Sequence, residues 1–213
     1  MKNIYGIFEG EAIKRPPKGK ILIYEGDAVN KLYYIQEGYV KVYNILDSGS
    51  EHIIFVYGPG DIFPFTSYLS GSGTARYFYE CMTDAKLQVM SIKDFEDRIR
   101  GNVQAGEALI TYTSNVGLQF IQRIDVLSVN DARRKVIALL AFLIHKTGSQ
   151  DEHPRLNIPL TTQDIADMCG LTRETTSLQM GRLRKDGIIT GSRHLIINTV
   201  RFSKLKDQLT VSH

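Results

Sequence analysis

The sequence predicts an α+β protein in three parts: an N-terminal antiparallel β jelly-roll barrel, one long helix, and a C-terminal winged helix–turn–helix. Three observations predict it. Short alternating apolar runs punctuated by glycine fill residues 12–91, an apolar helical period follows, and the last third turns to short capped helices with a basic balance. The expected boundaries are 1–101 for the barrel, 102–127 for the long helix and 128–213 for the winged helix–turn–helix.

Composition sets the outer bounds. A chain of 213 residues with a hydrophobic share of 43% has enough apolar surface for a real core. The longest apolar run, Val136 to Ile144, is nine residues, far short of the roughly 20 that a bilayer requires. The opening "MKNIYGIFEGE" has no run of signal-peptide type. The expected location is therefore cytoplasmic, without membrane contact. Cys81 and Cys169 lie far apart inside apolar patterns, as buried reduced thiols do, and are too few for a four-thiolate iron–sulfur cluster. The five histidines show no ligand spacing, so neither a metal nor another cofactor is expected. A barrel enzyme would need clustered histidine and acidic ligands, and His52 is the only histidine in the barrel stretch; the expectation is a protein that is not an enzyme.

Charge is unevenly divided. Residues 1–127 hold 13 Lys/Arg against 15 Asp/Glu, a balance of −2, and residues 128–213 hold 13 against 8, a balance of +5. A basic excess confined to one part of the chain suits a polyanionic partner.

The barrel strands are expected in "KILIYEGDAVN", "KLYYIQEGYVKVYNI", "HIIFVYGPGDIF", "YFYECMTD" and "KLQVMSI". "EGD" at 25–27 and "PGD" at 59–61 each end one strand in a glycine turn and begin another, the repetition of paired hairpins. After Ser91 the period becomes helical, with Ser91 and Asp94 spaced as a capping box. From about Asn102 to Leu127, the residues Leu109, Val116, Phe120, Ile124 and Leu127 recur at steps of 7, 4, 4 and 3 on one long helix. That stripe suits pairing with a second copy in a parallel coiled coil, or packing on its own barrel, or both.

Residues 130–148 read as a further helix, apolar on most sides and ended by Gly148. "LTTQDIADMCGLTRETTSLQMGRLRKDGII", 160–189, then holds two helices around a tight corner. Thr161 with Asp164 caps the first, Gly170 takes the left-handed turn, Leu171 plugs the angle and Thr172 caps the second. "IITGSRHLIIN", 188–198, is a hairpin wing. This combination points to duplex DNA, with the second helix in the major groove. Arg173 suits the acceptors of guanine and Glu174 the donor of cytosine, with Ser177 one turn on and Leu178 beside it. Thr162, Gln163, Thr172, Thr175, Arg182, Lys185 and Arg193 suit phosphates.

Taken together, "YYIQEGYVKVY" (33–43), "GPGD" (58–61), the long helix and "LTRETT" (171–176) resemble the cyclic-AMP receptor protein and fumarate–nitrate reductase regulator (CRP/FNR) superfamily of bacterial transcription factors, over nearly the whole chain. The resemblance implies a cyclic-nucleotide-binding-like barrel and a homodimer joined through the long helices. It further implies a pseudo-palindromic DNA site and contact with RNA polymerase. It places Arg173 and Glu174 at the half-site, and Gln163, Thr172 and Thr175 at the DNA backbone. Leu178 departs from it, standing where many members have a second base-reading arginine; Thr176 and Gln179 are more polar than the pattern.

The sensor departs further. Pro64 and Phe65 replace the Gly-Glu pair that holds a cyclic nucleotide, Ala75 takes the phosphate-binding arginine's place with Arg76 one residue along, and Phe120 and Ile121 stand where the purine is met. Cyclic AMP is therefore not expected to bind. The alternative is a regulator with an unidentified small-molecule effector, a cyclic nucleotide or another anionic or apolar ligand, held around Phe65, Arg76, Phe120 and Ile121.

Overall fold

A computed structural model describes the backbone of residues 4–149, 151–192 and 194–210, and side chains through Leu205. The chain divides into two compact units, Met1–Asn44 with Ile54–Phe120, and Ile45–Ile53 with Ile121–His213.

Chain order begins α1 (Tyr5–Phe8), β1 (Ala12–Lys14), β2 (Ile21–Ile23), β3 (Lys31–Glu37), β4 (Val40–Ile45), β5 (Glu51–Tyr57), β6 (Ile62–Phe63), α2 (Phe65–Leu69), β7 (Phe78–Cys81), β8 (Lys86–Ser91), α3 (Ile92–Ile99) and α4 (Val103–Ser128). The strands form two four-stranded sheets, ordered β1-β8-β3-β6 and β2-β7-β4-β5, the jelly-roll that the alternating runs predict.

Two turns share one device. Gly26 (φ 86°) and Gly60 (φ 92°) take the left-handed conformation. The aspartate after each then accepts from a backbone N–H three residues back: Tyr24 donates to Asp27 Oδ2 at 2.8 Å and Gly58 to Asp61 Oδ2 at 2.7 Å. Gly38, between β3 and β4, is needed for a steric reason as well, since a Cβ there would lie 2.4 Å from the Asp84 carbonyl oxygen.

Aromatic rings occupy the space between the sheets. Tyr33 stacks on Phe63 (centroids 5.0 Å), Phe63 on Tyr79 (5.5 Å) and Tyr57 on Tyr79 (6.3 Å), while Phe55 meets Tyr57 (5.1 Å) and Phe120 (4.8 Å). Side chains alternate along β3, so Tyr34 turns away from Tyr33 into a second cluster with Phe8, Phe65, Phe95, Ala105 and Ala108. The hydroxyl of Tyr112 on α4 joins that cluster to β6: it accepts from the Ile62 N–H (2.7 Å) and donates to the Ile62 carbonyl (3.2 Å).

The second unit continues with α5 (Ala132–Thr147), α6 (Thr162–Cys169), α7 (Arg173–Lys185), β9 (Ile189–Thr190), β10 (Ile196–Ile197) and α8 (Thr199–Thr210). Val136, Leu139, Leu140 and Leu143 on α5 are buried, with Ile165, Ala166, Cys169, Met180 and Leu183 on α6 and α7. Every predicted stop and start of the helix–turn–helix is present. Thr161 and Asp164 form a reciprocal capping box, Gly170 turns left-handed at φ 62°, and the Thr172 hydroxyl accepts from the Thr175 N–H. Strands β9 and β10 pair antiparallel as the wing. Both cysteine thiols are buried and free, and burial pushes Cys169 up to about 12 and Cys81 up to about 11.

Replacing Thr161 by alanine removes the hydroxyl that accepts from the Asp164 N–H and leaves only the backbone half of the capping box, and is expected to lower unfolding stability in urea by about 1 kcal/mol. An unchanged denaturation midpoint would show that the Thr161 hydroxyl contributes nothing to seating α6.

Candidate nucleic-acid interface

Two elements build the outward face of the second unit. The left-handed turn at Gly170 sends the chain from α6 into α7, and Leu171, whose N–H donates to the Ala166 carbonyl (3.1 Å), closes the corner. Helix α7 then divides by its 3.6-residue period. Thr176, Gln179, Met180 and Leu183 turn inward, and Arg173, Glu174, Ser177, Leu178, Gly181, Arg182 and Lys185 stay exposed.

The exposed residues line an open concave surface of about 550 Å³ together with Thr162 at the start of α6. All four side chains predicted to face bases meet there, and so do three of those predicted to face phosphates, Thr162, Arg182 and Lys185. Among the described ion pairs none joins Arg173 to Glu174, because neighbours one residue apart on a helix do not face each other. The carboxylate lies in the first turn of α7 and Arg182, Arg184 and Lys185 in its last, each at the end of the helix dipole that favours its charge.

Of the other four phosphate candidates, Gln163, Thr172 and Thr175 do not line that concave surface. The Gln163 amide donates to Asp167 (2.7 Å). The hydroxyls of Thr172 and Thr175 meet at 3.0 Å within the N-cap of α7. Arg193 lies outside the described residues.

Thr176 and Gln179 are both buried, and Thr176 Oγ1 and Gln179 Oε1 have no hydrogen-bond partner among the described residues. Polarity at these two positions therefore detracts from the seat of α7, since an unsatisfied buried polar group costs about 1–3 kcal/mol.

One residue carries no sequence signal. Arg123 in α4 is buried, and its guanidinium donates to the carbonyls of Ile53 (3.0 Å) and Met168 in the second unit. Met168 sits in the last turn of α6, where helix carbonyls lack internal partners and favour a cation. Burial lowers the Arg123 pKa to about 10, and burial followed by the Arg123 charge lowers that of His52. An arginine between Ile121 and Ile124 reads in sequence as the polar side of a helix. Only the packing makes it an anchor for α6.

The expected dimer stripe is split by the structure. Val116 is buried, Leu109 packs against the cluster around Phe65, Phe120 lies against Phe55, and Leu127 is half-buried. Of that stripe Ile124 alone stands exposed, beside Val103, Ile110, Gly117 and Ile121.

The residues expected around an effector do not converge either. Phe65 is buried in the cluster with Phe95 and Tyr112, its ring 5.4 Å from that of Tyr112, whereas Arg76 and Ile121 are exposed. Phe63, Tyr57 and Tyr79 fill the inter-sheet space instead. Tyr79 bonds the hydroxyls of Ser67 and Thr66 at the start of α2, and Tyr57 that of Thr66. Burial raises Tyr57 well above the usual phenol range and Tyr79 to about 12, so both are neutral.

Comparisons with known proteins agree with this layout. Residues 13–102 match the cyclic nucleotide-binding domain family, and residues 134–207 the Crp-like helix-turn-helix domain family. The chain is 26% identical over 171 residues to the nitrogen fixation regulation protein FixK of Rhizobium meliloti, covering 80% of this chain and 74% of that one. It is 25% identical over 197 residues to the transcriptional activator protein FnrL of Cereibacter sphaeroides, covering 89% and 77%. The solved structure of FixK2 from Bradyrhizobium japonicum shares the fold, with a TM-score of 0.78 at 22% identity, covering 92% of this chain and 96% of that one. With a cyclic nucleotide-binding domain followed in order by a Crp-like helix–turn–helix, the chain belongs to the CRP/FNR family of DNA-binding transcription regulators.

Proposed function

We propose that the protein regulates transcription in the cytoplasm as a homodimer on a pseudo-palindromic duplex site, with α7 in the major groove and RNA polymerase as a further partner. The observation that carries this reading is the concave face of α7, where Arg173, Glu174, Ser177 and Leu178 converge between Thr162 at one end and Arg182 and Lys185 at the other. Arg173 donates to guanine O6 and N7 and Glu174 accepts from cytosine N4, the two pairings their shapes suit. Arg182, Lys185 and Thr162 contact phosphates and set the register, joined by Gln163, Thr172, Thr175 and Arg193.

The dimer forms along the exposed row of α4. Val103, Ile110, Gly117, Ile121 and Ile124 recur at steps of 7, 7, 4 and 3, the period of a two-stranded coiled coil. Gly117 brings the two backbones close at the middle of the seam. Leu109, Val116 and Phe120 support the same helix from its other side.

The barrel takes no cyclic nucleotide. Its interior is filled by the rings of Phe63, Tyr57 and Tyr79, and the hydroxyls at the start of α2 already have tyrosine partners. A bound nucleotide would have to displace this stack, and Pro64 supplies no N–H to a phosphate.

Fluorescence anisotropy on promoter duplexes tests the DNA reading. Specific binding is expected to survive competitor DNA at about 150 mM salt; its absence would defeat the proposal. Glu174→Ala is expected to relax preference at one base position, and Arg182→Ala to weaken all sequences alike and flatten the salt dependence by about one counterion. Ile121→Asp is expected to convert two chains to one in analytical ultracentrifugation, and a parent protein that already sediments as a single chain would exclude the seam. Calorimetry with cyclic AMP should give no saturable heat; a one-to-one isotherm would show that the aromatic stack opens.

A further inference from the structure

Leu178 is 55% exposed, with Glu174 one turn before it and Arg182 one turn after it. Its i+3 neighbour Gly181 presents no side chain, and a Cβ built there would meet nothing within 4 Å. Leu178 therefore projects into open space from a face otherwise made of charged and hydroxyl side chains.

The chemistry of the major groove restricts what such a side chain can read. Guanine offers acceptors, cytosine a donor, adenine one of each, and thymine an acceptor beside a 5-methyl group. Leucine neither donates nor accepts, so against the first three it strips water from a polar edge and returns nothing. Against thymine, it covers the methyl. We infer that Leu178 is a specificity-determining residue that selects thymine at one position of each half-site by packing on its 5-methyl group. The inference rests on the reading of α7 as the recognition helix and adds a third kind of contact to the donor of Arg173 and the acceptor of Glu174. The open space at Gly181 leaves the methyl unobstructed from the C-terminal side of α7.

The test uses the full chain. A preferred duplex is first selected from a randomised pool, and each thymine in it is then replaced singly by deoxyuridine, which removes the methyl and leaves every hydrogen-bonding edge intact. One thymine per half-site is expected to respond, with binding weakened about three- to fourfold, the effect of one methyl group's burial. The Leu178→Ala protein, altered at an exposed position, is expected to bind thymine and uracil duplexes equally; Leu178→Arg is expected to change the selected base there to guanine. A parent protein that binds its selected site yet ignores uracil at every position overturns the inference, as does a Leu178→Ala protein that keeps the parent's thymine-to-uracil ratio. Both results leave the recognition helix standing, whereas failure to select any sequence removes both.

Discussion

The left-handed turn at Gly170 is the constraint on which the protein's outward chemistry depends. An L-residue in that conformation is penalised by about 1 kcal/mol because its Cβ approaches the following carbonyl, so glycine lets α6 stop and α7 start at a fixed angle. The Thr161 and Thr172 hydroxyls each satisfy one of the N–H groups that a new helix leaves open, those of Asp164 and Thr175. With the N-terminus of each helix capped, the corner between α6 and α7 is fixed by local contacts. The period of α7 then sorts Met180 and Leu183 to the core and Arg173, Glu174, Ser177 and Leu178 to the exposed face.

The supports of this unit are not all apolar. Arg123 is buried with its guanidinium against the Ile53 and Met168 carbonyls, and these partners offset part of the cost of taking a cation out of water. Its role differs from that of the leucines around it: they supply unspecific burial, while a guanidinium fork requires acceptors at defined positions. Thr176 and Gln179 show the opposite case, since Thr176 Oγ1 and Gln179 Oε1 have no partner among the described residues. Helix α7 is thus firmly aimed at its start and less well seated in its middle.

The other unit carries a parallel conflict between ancestry of form and local chemistry. Its sheets match a cyclic nucleotide-binding domain over residues 13–102, yet the space between them is taken by a continuous series of rings from Tyr33 to Phe120. Stacked and tilted rings at 4.8–6.3 Å bury large areas and hold one another in place. The hydroxyls of Tyr57 and Tyr79 would be costly to bury alone, and Thr66 and Ser67 satisfy them. A fold shared with nucleotide-binding domains does not by itself fix the ligand, because binding chemistry resides in side chains and not in the sheets.

Local signals alone determined the element order, the turns and the exposed face of α7. Alternation in "KLYYIQE", the glycine–aspartate turns, the Thr161–Asp164 and Thr172 caps, and Gly170 act within a few residues of themselves, so the sequence displays them directly. The basic balance beyond residue 128 is additive and equally visible. Tertiary structure decided which side of α4 is buried, that Phe63 rather than Phe65 fills the inter-sheet space, and that Arg123 anchors α6. Each of these depends on which distant element arrives at a given face. A helix with apolar residues on two sides, as α4 has, does not say which of them meets its own sheets; in α4 that was settled by Tyr112, whose hydroxyl bonds both the N–H and the carbonyl of Ile62, fifty residues away along the chain.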